Sequence, residues 1–145
     1  MTRGDTASRD NAAVVRRYYE DLWNQFDKSL IVELLTENLR FRGSLGQEKS
    51  GHQGFADYLD FIRAAFPDFH NEILDLVSEG SRSFAQLRYR GTHRGEIFGI
   101  APTGSRVSYS GAALFTFQGS RICELWVLGD VHALVLQLAG GKGSP

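Results

Sequence analysis

RVSYSGAALFTFQGSRICELWVLGD, residues 106–130, alternates apolar and polar side chains with a period of two. Val107, Tyr109, Gly111, Ala113, Phe115 and Phe117 form one set, and Arg106, Ser108, Ser110 and Thr116 stand among the intervening positions. That is the pattern of a strand with one buried face. Gln118-Gly119-Ser120 supplies a glycine-containing hairpin connection to a second strand over 121–128. On it Cys123, Leu125 and Val127 share the core-facing parity, which leaves Ile122, Trp126 and Leu128 on the outer face beside Leu114. Gly129-Asp130 breaks the strand, and Val131, Leu134 and Leu138 give a short terminal helix its apolar face.

Upstream the same alternation recurs in Ala85, Leu87 and Tyr89 against Gln86, Arg88 and Arg90, and the period of two sets in beyond Asn71. Before Asn71 the spacing is helical. Val15, Tyr18 or Tyr19, Leu22 and Phe26 predict a helix to about Asn24, with Ser8 or Asp10 as its N-cap. Adjacent residues of an α-helix diverge by about 100°, so only one of Tyr18 and Tyr19 is expected to face squarely inward. Asp27 caps a shorter helix carrying Leu30, Ile31, Leu34 and Leu35; a strand over 38–43 and a loop over 43–54 follow. Phe55, Leu59, Ile62 and Phe66 then mark a third helix, which Pro67 ends. Helices first and a meander afterwards predict an α+β domain, with helices across one face of a curved antiparallel sheet. Such a sheet tapers to a cone, and large aromatics at its core-facing positions would line a pocket for a small apolar ligand. One domain spans 1–145, with 1–12 and 140–145 as flexible ends.

Composition narrows the function. Sixteen Lys+Arg against seventeen Asp+Glu leave a net charge of −1, with no excess positive field for nucleic acid or an anionic membrane. The single cysteine, Cys123, excludes an internal disulfide and fits a reducing cytoplasm. No apolar run is long enough to span a bilayer, and the first residues lack the apolar core of a secretory signal. No P-loop, dinucleotide fingerprint, HExxH, GxSxG or EF-hand loop occurs, and His52, His70, His93 and His132 show no ligand spacing, so no metal site or bound cofactor is expected.

The stretch GTHRGEIFGIAPTG at 91–104, AAFPDF at 64–69, Gly51-x-x-Gly54, Leu125-Trp126, Gly129-Asp130 and Gln137-Leu138 together resemble the SnoaL-like polyketide cyclase family, over Val14 to Gly140. The resemblance implies the cone-shaped α+β barrel that these proteins share with ketosteroid isomerases. Cyclases of the family that close the last ring of anthracycline-type polyketides carry a histidine in the penultimate strand and an aspartate in the last. Aligned with them, this chain holds Phe115 and Val127 there. Valine cannot take the proton beside a carbonyl that an aldol ring closure requires. The chain is thereby similar to a branch of small hydroxylases that act on anthracycline-type polyketides without a bound flavin or metal. The reading that follows is a hydroxylase of a reduced polycyclic quinone using O2, the reduced substrate coming from a separate reductase. A cyclase or isomerase is the alternative, and a non-catalytic small-molecule binding module is the third.

Each candidate site residue has two readings. Asp130 is the carboxylate near enough to act as acid or base, and equally a helix N-cap. His93 stands at the pocket rim if the strand of Tyr89 runs uninterrupted, or is a satisfied structural histidine. Tyr18, Tyr19, Tyr89 and Tyr109 are placed to bond a quinone or phenol oxygen, or are packing residues. Phe115 and Val127 share the pocket-facing parity. Arg42 and His52, in or beside the long loop, are positioned to meet a phenolate or ester, or are solvated. The apolar outer face predicts a homodimer packed sheet on sheet.

Overall fold

The computed structural model of the chain describes residues 3–140; of the flexible end expected at 140–145, Gly140 closes the terminal helix and 141–145 lie outside the described residues. The fold is α+β. Six strands, β1 (Leu35–Arg42), β2 (Glu48–Ser50), β3 (His70–Glu79), β4 (Arg82–Thr92), β5 (Arg106–Gln118) and β6 (Arg121–Gly129), form one sheet in the order β2-β1-β6-β5-β4-β3. It curves without closing, so β2 and β3 are edges. Helices α1 (Arg3–Arg17), α2 (Leu30–Leu34), α3 (Gly51–Ala65) and α4 (Val131–Gly140) complete the described fold.

The meander β3 to β6 is antiparallel, as the alternation predicts. β1, however, lies parallel to β6, which corrects the expectation of an all-antiparallel sheet. Parallel neighbours need a long crossover, and here the intervening chain holds α3 and the strands β2 to β5. β2 sits inside the stretch expected as a loop, and β1 begins earlier than expected, at Leu35.

Three local departures matter for the interior. First, α1 starts at Arg3, so residues 3–12 are helical rather than a loose end, and neither Ser8 nor Asp10 caps the helix. Ser8 Oγ instead accepts the Gly80 N–H at 3.0 Å, and Asn11 Nδ2 donates to the Gly80 carbonyl at 3.0 Å. Both bonds tie α1 to the β3–β4 turn, where Gly80 has φ +60°. Second, α1 passes directly into a π-helical segment, Tyr18–Trp23, with the Asn24 N–H bonded to the Tyr19 carbonyl at 2.9 Å. The wider turn brings Tyr18 and Tyr19 both inside, at 1% and 2% exposed, which overturns the expectation that only one faces inward. Third, β6 bulges. Thr116 pairs with Glu124 and Phe117 with Ile122, so Cys123 is the extra residue. A bulge reverses parity on its far side, and Ile122, expected on the outer face, is buried while Cys123 is only half-buried.

α4 is fixed to β5 through Gln137. Gln137 Nε2 donates to the Ser108 carbonyl at 2.9 Å and its Oε1 accepts the Ser108 N–H at 3.0 Å, a side-chain copy of a strand pairing.

Candidate active site

All five tyrosines of the chain are buried and converge on the space between helices and sheet. The π segment supplies Tyr18 and Tyr19, whose rings meet edge to face at 4.8 Å and both stand edge-on to Phe115, at 5.5 and 5.9 Å. Tyr58 comes from α3 because it continues the helical face of Phe55, Leu59 and Ile62. Tyr89 of β4 and Tyr109 of β5 are cross-strand partners with ring centres 4.9 Å apart, and Phe69 stacks on Tyr89 at 5.6 Å. Contacts of this kind contribute about 0.5–1.5 kcal/mol each beyond burial, so the cluster is structural as well as available for chemistry.

Among these rings lies a cavity of about 20 Å³, walled by Tyr18, Tyr19, Trp23, Phe41, Ser44, Tyr58, Ile62, Phe69, Asn71, Tyr89 and Val127. That holds about one water molecule, whereas ligand pockets run to roughly 300–1,000 Å³. A polycyclic ligand therefore enters only if side chains move. Two of the walls rest on glycine: a Cβ at Gly43 would lie 2.4 Å from the Tyr58 ring, and one at Gly111 would lie 2.3 Å from the Tyr89 ring.

The wall carries hydroxyls and no charged side chain. Ser44 Oγ and Tyr58 OH are 3.4 Å apart, and the buried hydroxyls of Tyr19 and Tyr109 have no hydrogen-bond partner. Burial pushes the phenols of Tyr18, Tyr19, Tyr58, Tyr89 and Tyr109 above their ordinary range, with the Ser44 contact offsetting part of the effect at Tyr58. Near neutral pH they are therefore protonated donors, suited to carbonyl or phenolic oxygens, and none is a ready base.

The residues expected at the site divide accordingly. Tyr18, Tyr19, Tyr89 and Val127 line the cavity; Tyr109 and Phe115 are buried behind its wall, touching Tyr89 and the Tyr18–Tyr19 pair. Asp130 is exposed, and its Oδ1 accepts the Ala133 N–H at 3.1 Å as the N-cap of α4. His93 is fully buried but away from the cavity wall. Its Nδ1 accepts the Thr103 N–H at 3.1 Å, which assigns the ring proton to Nε2, an atom without a partner, and Phe66 lies 5.9 Å from the ring. It thus ties the 93–105 loop to β4. Arg42 lies on the opposite side of the sheet, donating to the Val127 carbonyl and stacked 5.3 Å over Trp126. His52 Nε2 is 2.9 Å from the Leu35 carbonyl, a fold contact.

Trp23, Phe41, Ser44, Tyr58, Ile62, Phe69 and Asn71 complete the wall without having been singled out. The helical spacing of α3 was the available signal for Tyr58, whereas Ser44 and Asn71 sit in segments without periodicity. Among the described residues no group of His, Cys, Asp and Glu is arranged to hold a metal ion, and no helix is long and apolar enough to cross a membrane.

A family model described as SnoaL-like polyketide cyclase matches residues 13–138. Among solved structures the chain is similar to a candidate SnoaL-like polyketide cyclase from Jannaschia sp. CCS1, at 20% identity and TM-score 0.87, covering 100% of this chain and 99% of that one. It is also similar to AclR, a candidate hydroxylase from Streptomyces galilaeus, at 24% identity and TM-score 0.80, covering 92% and 83%. IdmH, a candidate polyketide cyclase from Streptomyces antibioticus, matches at 23% identity and TM-score 0.78, covering 89% and 98%. No curated protein sequence matches the chain.

Proposed function

The chain belongs to the SnoaL-like polyketide cyclase family, and on that premise we propose that it hydroxylates a reduced, anthracycline-type polycyclic quinone with O2. The observation that carries this reading is the chemistry of the cavity wall: phenol and serine hydroxyls, aromatic faces, and no carboxylate or imidazole. The two positions aligned with the cyclase acid–base pair hold Phe115 and Val127. Neither can move a proton.

Triplet O2 reacts slowly with closed-shell carbon, so single electrons must come from somewhere, and an electron-rich dihydroquinone can supply them. It passes one electron to O2, the two radicals recombine at a ring carbon, and the hydroperoxide loses water. Dihydroquinone and O2 become hydroxyquinone and water. Of the four electrons that O2 accepts, two come from the hydroquinone and two from the C–H bond converted to C–OH. A separate reductase makes the dihydroquinone, and the protein needs no bound cofactor of its own. Its part is to orient the rings, donate hydrogen bonds to the ring oxygens from protonated phenols, and exclude water.

A second reading, ring closure or isomerisation, is favoured by the unpartnered hydroxyl of Tyr19 on the cavity wall, a donor suited to a developing enolate. A polyketide quinone incubated with a reductant and isotopically labelled O2 separates the two. Hydroxylation gives a product heavier by one labelled oxygen and stops under argon; conversion under argon without change of mass overturns it in favour of cyclisation. Binding without conversion identifies a carrier or sensor. In the same assay Asp130→Ala leaves turnover per folded molecule unchanged, because its carboxylate caps α4; a fall of about 10²-fold or more would return Asp130 to the chemistry.

A further inference from the structure

We propose that Asn71, braced by Asn24, is the hydrogen-bond acceptor that seats a hydroxyl group of the substrate in the interior cavity. The inference rests on the reading above only in taking that cavity as the substrate site. Asn71 is 4% exposed and forms part of the cavity wall on β3, directly across the ladder from Tyr89.

Its orientation is dictated by three bonds. Asn24 Oδ1 accepts the Asn71 N–H at 2.8 Å, so Asn24 Nδ2 must be the group that donates to the Asn71 carbonyl, at 2.9 Å. Asn24 is thereby locked as a substitute neighbour for the free edge of β3. The same Asn24 Oδ1 accepts from Asn71 Nδ2 at 3.1 Å, which fixes the Asn71 amide as well. One end of that amide is used in the fold. The other, Oδ1, accepts no hydrogen bond from a described residue and is not one of the buried polar atoms shut off without a partner, so it remains accessible at the cavity wall.

An acceptor left free on the wall of a site is available to a donor that the ligand brings. Oδ1 is an acceptor only, and Asn71 is the one lining residue with a side-chain carbonyl. The remaining polar groups of the wall are hydroxyls and the Trp23 indole N–H, each with a proton to donate. A ligand that presents both a hydroxyl and an acceptor oxygen, as a hydroquinone or hydroxyquinone does, satisfies both kinds of group at once; an ether or a bare hydrocarbon leaves Oδ1 unpaired.

The test uses the full chain and two probes, α-naphthol and its methyl ether, which share rings but not the donor. By calorimetry the naphthol binds about tenfold more tightly than the ether. Asn71→Leu loses that preference. Should Asn71→Leu fail to fold, NMR of the isotopically labelled native chain gives the same information: the Asn71 side-chain amide signal moves with the naphthol and stays with the ether. Equal affinity for the two probes, no binding of either, or an undiminished preference in folded Asn71→Leu overturns the assignment. No outcome depends on oxygen or turnover, so failure here is distinct from failure of the hydroxylase reading.

Discussion

Five phenols packed into one interior make the protein's response to alkali a property of single residues. Each has its folded-state ionisation raised by burial, whereas in the unfolded chain each ionises near the ordinary value of about 10. The native state then holds its phenolic protons where the unfolded state loses them. Their contribution to stability is complete below about pH 10 and is lost above it, at up to about 1.4 kcal/mol per pH unit for each phenol. Phenolate absorbance and loss of circular dichroism should therefore rise together in a single steep step above that pH. Phenolate appearing well before unfolding would mean that the hydroxyls are open to solvent. Glycine at 43 and 111 belongs to the same residue-level design, because a methyl group at either place would collide with a tyrosine ring.

At the scale of elements, the sequence was most readable where a single face is buried over many residues. The inward parity of Tyr109, Ala113, Phe115, Phe117, Leu125 and Val127 holds throughout. It failed at Ile122, where one inserted residue inverts the two faces and nothing in the local pattern marks the insertion. It also missed β3, whose edge position leaves Leu74 and Val77 exposed and blurs the alternation. The π segment is the third case. An α-helical count puts one of Tyr18 and Tyr19 outside, yet Tyr18, Tyr19, Leu22 and Trp23 are all buried. A π turn is an α-helix with a residue to spare, and Glu20, exposed within it, is the residue to remove. Deleting Glu20 restores α register, and the pairs on either side can no longer both face inward. Loss of a buried aromatic on this scale costs on the order of 3 kcal/mol, measurable by denaturant unfolding; unchanged stability would show that the extra residue has no packing role. The catalytic candidates were less legible than the strands, because Asp130 and His93 look the same in sequence whether they cap, brace or react.

For the whole molecule, the uncovered side of the sheet carries one apolar row across four strands. Val77, Phe84, Leu114 and Trp126 are successive cross-strand neighbours, and Leu128 stands beside them. Val77, Phe84, Trp126 and Leu128 remain exposed. We propose that a second copy covers this face, since a patch of this kind on a small domain favours association. Trp126→Glu should convert dimers to monomers in sedimentation; a dimer that survives it assembles through another surface. The two tryptophans also divide the molecule optically. Trp23 is 7% exposed against the cavity, and Trp126 is 45% exposed on the far side of the sheet. With no third indole in the chain, emission from Trp23 is shielded from iodide and responds to whatever enters among the tyrosines, while emission from Trp126 is quenched until something covers the outer face. Ligand entry and subunit association can thus be followed as two separate signals from the unlabelled protein.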